Sequence, residues 1–124
     1  MNERASVITI GGEEYELLLT TAATKEISKK YGGLENLGNG LMQNEKFEDA
    51  IDEILELICI LANGPVRIYN LRNEDKKQEL TVEYLSLFTT PSDIAEFKDA
   101  IMDAMVKGTK RDIESEEVKN MEAV

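Results

Sequence analysis

The sequence contains no histidine. That removes the commonest general base and the commonest metal ligand, and it excludes Ser–His–Asp and Cys–His nucleophile arrangements. Cysteine occurs once, at Cys59, so neither an intramolecular disulfide nor a thiolate zinc cluster can form. Cys59 lies within Leu57-Ile58-Cys59-Ile60-Leu61, where a thiol behaves as a small buried hydrophobe. A chain without a disulfide framework fits a reducing, cytoplasmic compartment. Long apolar runs are also missing. The longest, Leu57 to Ala62, falls far short of the ~20 residues a membrane span needs. Met1-Asn2-Glu3-Arg4-Ala5 shows no basic segment leading into an apolar one, so no signal peptide is expected. Positive charge is scarce: 14 Lys and Arg stand against 25 Asp and Glu, for a net charge of −11. Such a surface repels phosphate backbones. The expectation is no nucleic acid and no membrane, with solubility or a basic protein partner as the two uses of the charge.

At 124 residues the chain has room for one domain. Val7-Ile8-Thr9-Ile10 and Tyr15 to Leu19 flank Gly11-Gly12-Glu13-Glu14, which predicts a β-hairpin. Thr20 or Thr21 is placed to cap a helix reaching Tyr31, with Gly32-Gly33 as its left-handed stop. Leu34 to Met42 holds a short helical turn broken by Gly38 and Gly40. The clearest element starts at Asn44 and runs to about Ala62. Phe47, Ala50, Ile51, Ile54, Leu55, Ile58 and Leu61 follow helical spacing along it. Asn63-Gly64-Pro65 reads as its end, because proline cannot continue a helix. Residues 66–71 fit a short strand and a helical turn equally, and 73–78 read as a charged loop. Thr81 can cap a short helix to Phe88 with Val82, Leu85 and Phe88 inward. A threonine or Ser92, with Pro91 at the first helical position, starts a helix that buries Ile94, Phe97, Ile101, Ala104 and Met105. That helix reaches about Lys107 and stops at Gly108. The fold class expected is mainly α with an N-terminal β-hairpin, a small α+β domain over residues 1–111. Its helices pack in one layer around a single core, and 112–124 are expected to form a charged, acidic tail that is either flexible or helical only when a partner covers its apolar residues.

Nothing in this pattern assembles catalytic chemistry. Gly11-Gly12 leads into a strand rather than a helix N-terminus, so it is no phosphate cradle. Gly32-Gly33 and Gly38-x-Gly40 match no nucleotide-binding spacing. The carboxylates at 45, 48, 49, 52, 53 and 56 share one helix face instead of converging on a dry pocket. No glycine-centred calcium loop is present. The expectation is therefore a non-enzyme without cofactor or metal. The acidic stripe is costly by itself, since like charges at these spacings repel by ~0.2–0.5 kcal/mol per pair. It reads either as a solvated face or as a dock for a basic helix. The candidate partner-binding residues are Glu48, Asp49, Asp52, Glu53 and Glu56, with the apolar tail residues Ile113 and Val118 as a second group.

The order of motifs carries a likeness. Gly12-Glu13-Glu14-Tyr15-Glu16-Leu17, Thr20-Thr21, Tyr31-Gly32-Gly33-Leu34-Glu35-Asn36-Leu37 and Leu61-Ala62-Asn63-Gly64 succeed one another. Leu80-Thr81, Ile101-Met102-Asp103-Ala104-Met105 and Gly108-Thr109-Lys110-Arg111-Asp112-Ile113-Glu114 follow. This succession, spanning nearly the whole chain, resembles the small tail assembly chaperones of long-tailed phages and prophages of Gram-positive bacteria. The resemblance implies a cytoplasmic protein of the host bacterium that is absent from the mature virion. It implies binding to the tape-measure protein, which is kept soluble and passed to tail-tube subunits. It supplies no catalytic residue. The residues also leave open a small phage structural or head–tail connector protein, an acidic protein-interaction regulator, and either a monomer or a homo-oligomer.

Overall fold

The structure is a computed structural model that describes residues 3–37 and 47–110. Strands β1 (Ser6–Ile10) and β2 (Glu13–Leu17) pair antiparallel with Ile10 opposite Glu13 and Ser6 opposite Leu17. Gly11 and Gly12 both take positive φ, 58° and 82°. This is the two-residue turn whose twist suits a hairpin and which glycine adopts without strain. Alternation sends Ile8, Ile10 and Leu17 inward, while Thr9 and Glu14 are exposed.

Helix α1 (Thr21–Tyr31) starts at Thr20, whose Oγ1 accepts from the Ala23 N–H at 3.0 Å. It ends at Gly32 with φ 75°, and Lys29 and Lys30 suit the negative end of its dipole. Its Ala23 and Ile27 are buried. A helical turn follows at 35–37. Helix α2 (Phe47–Arg72) is the centre of the fold, packing on β2, α1, α3 (Val82–Phe88) and α4 (Pro91–Thr109). Thr81 caps α3 through the Tyr84 N–H at 3.0 Å. Thr90 precedes Pro91 at the head of α4, and its N–H donates to Asp93 Oδ2 at 2.8 Å. The core joins the hairpin to all four helices through Leu17, Ile27, Leu57, Leu61, Leu85 and Phe97, among others. By length and composition, Glu48–Arg72 would suffice to cross a bilayer. Its Ile54, Leu55, Leu57, Ile58 and Leu61 instead lie in the protein core, and a core helix meets the same criterion.

Three expectations are corrected. First, α2 does not end at Asn63-Gly64-Pro65 but passes through it to Arg72, which also makes 66–72 helical. Proline at 65 lacks the N–H that would bond the Leu61 carbonyl. That carbonyl instead accepts the Leu18 N–H at 3.0 Å, just beyond β2. Gly64 admits Thr20, since a Cβ there would lie 3.0 Å from Thr20 Cγ2. Asn63 is buried, donating to the Leu80 carbonyl at 2.9 Å and accepting the Leu80 N–H at 2.7 Å. The three residues thus form a notch that seats two other segments. Second, Gly108 does not stop the last helix, which reaches Thr109. Its role is close approach: a Cβ at 108 would sit 2.5 Å from Leu19 Cβ. Third, Phe88 is not inward but 53% exposed. It stacks on Tyr84 at 4.4 Å, and both side chains lie beside the Gly11 turn.

The first strand and the residue pair before it are also tied to the middle of α4 and to the residue that follows it. Ser6 Oγ donates to the Ala100 carbonyl at 2.7 Å, and Arg4 Nη1 to the Lys110 carbonyl at 3.1 Å. The anticipated cap at Asn44, Glu45 of the acidic stripe, and the tail from residue 112 lie outside the described residues.

Candidate docking surfaces

The acidic stripe is set by helical periodicity on α2, and the fold divides it in two. Glu48, Asp49 and Asp52 are exposed. Glu53 and Glu56 are half-buried and turn toward α1, where Lys30 pairs with Glu56. The Tyr31 hydroxyl is buried in the same place. Burial first, and then the Glu53 and Glu56 carboxylates, hold its pKa above the ordinary phenol value. The two halves therefore differ in use. Glu53 and Glu56 help to seat α1, and the open part of the face is Glu48-Asp49-Asp52. Sequence spacing finds the stripe but not the lysine from another helix that meets one end of it. Ile113 and Val118, the second group of candidates, lie outside the described residues. Cys59, one turn on from Glu56, is half-buried, and burial pushes its thiol up to about 11.

A second surface has no counterpart in the sequence motifs. Beyond the Leu18–Leu61 hydrogen bond, β2 and the C-terminal half of α2 diverge around a groove of about 1010 Å³. One wall is Glu13 to Glu16 of β2, and the other is the α2 stripe Ala62, Pro65, Val66 and Tyr69. The segment 77–80 and Tyr84 close the far side. Asn63 holds that segment through its two bonds to Leu80. Outside them, Arg67 Nη2 donates to Glu79 Oε1 at 2.8 Å, which keeps the Glu79 carboxyl below its usual range. Lys77 Nζ lies 4.2 Å from the centroid of the Tyr69 ring. Tyr15 donates its hydroxyl to Glu13 Oε2 at 3.0 Å, and burial, reinforced by that carboxylate, raises its phenol to about 12.

Apolar side chains also reach solvent on α2 and α3. Leu71 near the end of α2 is 88% exposed, and Leu87 of α3 is 76% exposed. Among the described residues, no three acidic or thiol side chains converge as a metal site would require. The arrangement presents apolar area, charge and hydrogen-bonding groups at the surface. No protein-family model, curated protein or solved structure matches the chain.

Proposed function

We propose that this protein is a tail assembly chaperone. It binds the tape-measure protein in the cytoplasm of the host bacterium, keeps it soluble, yields it to tail-tube subunits, and stays out of the mature virion. The proposal includes no bond-making step and no cofactor. The observation that carries it is the pairing of exposed leucines, Leu71 and Leu87, with a body of net charge −11. Exposed leucines supply apolar area that a covering chain would remove from water. The negative charge keeps the resulting complexes apart and draws in basic partners. Together these suit a reversible cover for a long amphipathic protein. The order of motifs that resembles the tail assembly chaperones supplies the partner's identity.

The test is co-expression with the tape-measure protein encoded nearby. Soluble complex should be recovered only when this chain is present. Leu71→Ser and Leu87→Ser should lower recovery while leaving stability within ~0.5 kcal/mol, as for exposed positions generally. Tape-measure solubility that is indifferent to this chain refutes the reading. Detection of the chain in purified virions by mass spectrometry would favour a structural component instead.

A further inference from the structure

We infer that the groove beside β2 is a strand-addition site that takes an extended segment of alternating apolar and basic residues. The two-residue turn makes Ile10 and Glu13 the closing hydrogen-bonded pair of the hairpin. Glu13, Tyr15 and Leu17 therefore direct their backbone groups at β1, while Glu14, Glu16 and Leu18 direct theirs away from it. Leu18 confirms this parity, since its N–H is donated outward to the carbonyl that Pro65 leaves free at Leu61. Glu16 and Glu14 continue that row along the groove wall. Among the described residues, no backbone or side-chain group bonds their N–H and C=O groups. Among the described residues, the edge is thus paired at its first position, by α2, and open at the next two.

An added strand would alternate its side chains as β2 does. One set would fall on the α2 stripe of Pro65, Val66 and Tyr69, which asks for apolar residues. The other set would stand beside the Glu14 and Glu16 side chains on the outer face, which asks for lysine or arginine, because opposite charges across a strand pair stabilise. Main-chain bonds then give affinity and the alternating side chains give selectivity. Charge separates the candidate occupants. A second copy adding its β2 antiparallel would set Glu14 against Glu16 twice, an arrangement that like charges oppose. Residues 111–124 carry Asp112, Glu114, Glu116, Glu117 and Glu122 against Arg111 and Lys119, which opposes them as well. A basic foreign segment is the occupant left. This deepens the polypeptide-docking reading, but its test requires no tape-measure protein. Failure of the peptide would leave the co-expression result standing, and failure of co-expression would leave the groove standing.

The probe is a capped hexapeptide alternating lysine and valine, titrated into the full ¹⁵N-labelled chain with amide exchange followed by NMR. Exchange at Glu14 and Glu16 should slow about tenfold or more on binding, while Tyr15, already bonded to β1, should stay unchanged. N-methylation of the peptide's edge-facing amides should weaken binding about tenfold or more, because those bonds are lost with the side chains kept. E14K/E16K should lose the lysine peptide and take up its glutamate counterpart, which keeps the test readable whatever the variant's stability. Equal binding of the N-methylated peptide overturns the inference, as does protection centred on Asp49 and Asp52. Slow exchange at Glu14 and Glu16 in the free chain also overturns it, by a second copy if it depends on concentration and by the chain's own residues if it does not.

Discussion

Replacing Asn63 is the sharpest test of how the central helix is read. Its side chain imitates a backbone partner, giving and taking one hydrogen bond with Leu80 at 2.9 and 2.7 Å. Both residues are buried, at 7% and 6% exposure, so water does not readily replace the amide. Asn63→Ala therefore strands one buried N–H and one buried C=O. Each costs about 1–3 kcal/mol when left unmade, and partial relaxation of the 77–80 segment brings the total to about 3 kcal/mol. With a urea slope of about 2 kcal/mol/M, usual for a small domain, the unfolding midpoint should fall by about 1.5 M. Asn63→Leu should do no better, because filling the volume leaves the same two groups unpaired. Asn63→Asp keeps the acceptor for the Leu80 N–H but turns a carboxylate oxygen on the Leu80 carbonyl. That raises the new carboxyl's pKa in the folded state, so its stability deficit against wild type should shrink as pH falls and the protonated acid regains a donor. A midpoint shift in Asn63→Ala below about 0.3 M would refute the argument, since it would mean that Leu80 finds other partners at no cost.

Three further outcomes follow from the same geometry. Gly108→Ala should destabilise by about 1–3 kcal/mol in urea unfolding, as overpacking does, because the new methyl meets Leu19 Cβ itself rather than a flexible tip; a gain in stability, the usual result in an exposed helix, would contradict this. Pro65→Ala restores an N–H that competes for the Leu61 carbonyl, so the Leu18 amide should exchange faster in native-state hydrogen exchange, and unchanged Leu18 protection would count against the shared acceptor. Cys59, with its thiol raised from 9.0 to about 11, should alkylate about 100-fold or more slower than a free thiol at pH 8 by thiolate fraction alone. Because the folded state disfavours that thiolate, stability should also drop as pH rises from 9 towards 11; a reaction rate equal to that of the unfolded chain would put Cys59 at an open surface.

Much of the fold is legible in the sequence because its signals are local. Gly11-Gly12 between β-branched and aromatic runs specifies the hairpin, and Thr20, Gly32, Thr81 and Pro91 mark helix ends by chemistry that acts within one turn. The spacing of Ile54, Leu55, Ile58 and Leu61 gives the buried face of α2 correctly. The errors fall where a local rule is overruled by a contact from far along the chain. Asn63-Gly64-Pro65 has the composition of a helix stop, yet each residue is matched by a distant one: Leu80 for Asn63, Thr20 for Gly64, and Leu18 for the carbonyl that Pro65 frees. Continuing through proline costs about 3 kcal/mol in an isolated helix. Here the lost bond is remade by Leu18, and the residues beyond it bury Val66 and line the groove. Gly108 misleads in the same way, because a helix interior that needs a bare backbone for Leu19 looks like a terminator in one dimension.

The acidic stripe and the groove differ in visibility for a physical reason. A stripe is made of side chains on one element, so periodicity displays it. The groove's distinctive feature is a pair of residues whose main-chain groups point away from β1, the strand that pairs with β2. Every non-proline residue has those groups, and nothing in the letters Glu14 and Glu16 distinguishes a paired backbone from an open one. What the sequence does show is the choice of glutamate there. On an exposed edge, charge discourages pairing with identical copies. In the proposed strand addition, the same two carboxylates would oppose a second copy of this acidic chain and favour a basic segment. Protection against self-association and preference for a partner then arise from one placement of charge, and replacing Glu14 and Glu16 should alter both together: a neutral edge should self-associate more readily while discriminating less between basic and acidic segments.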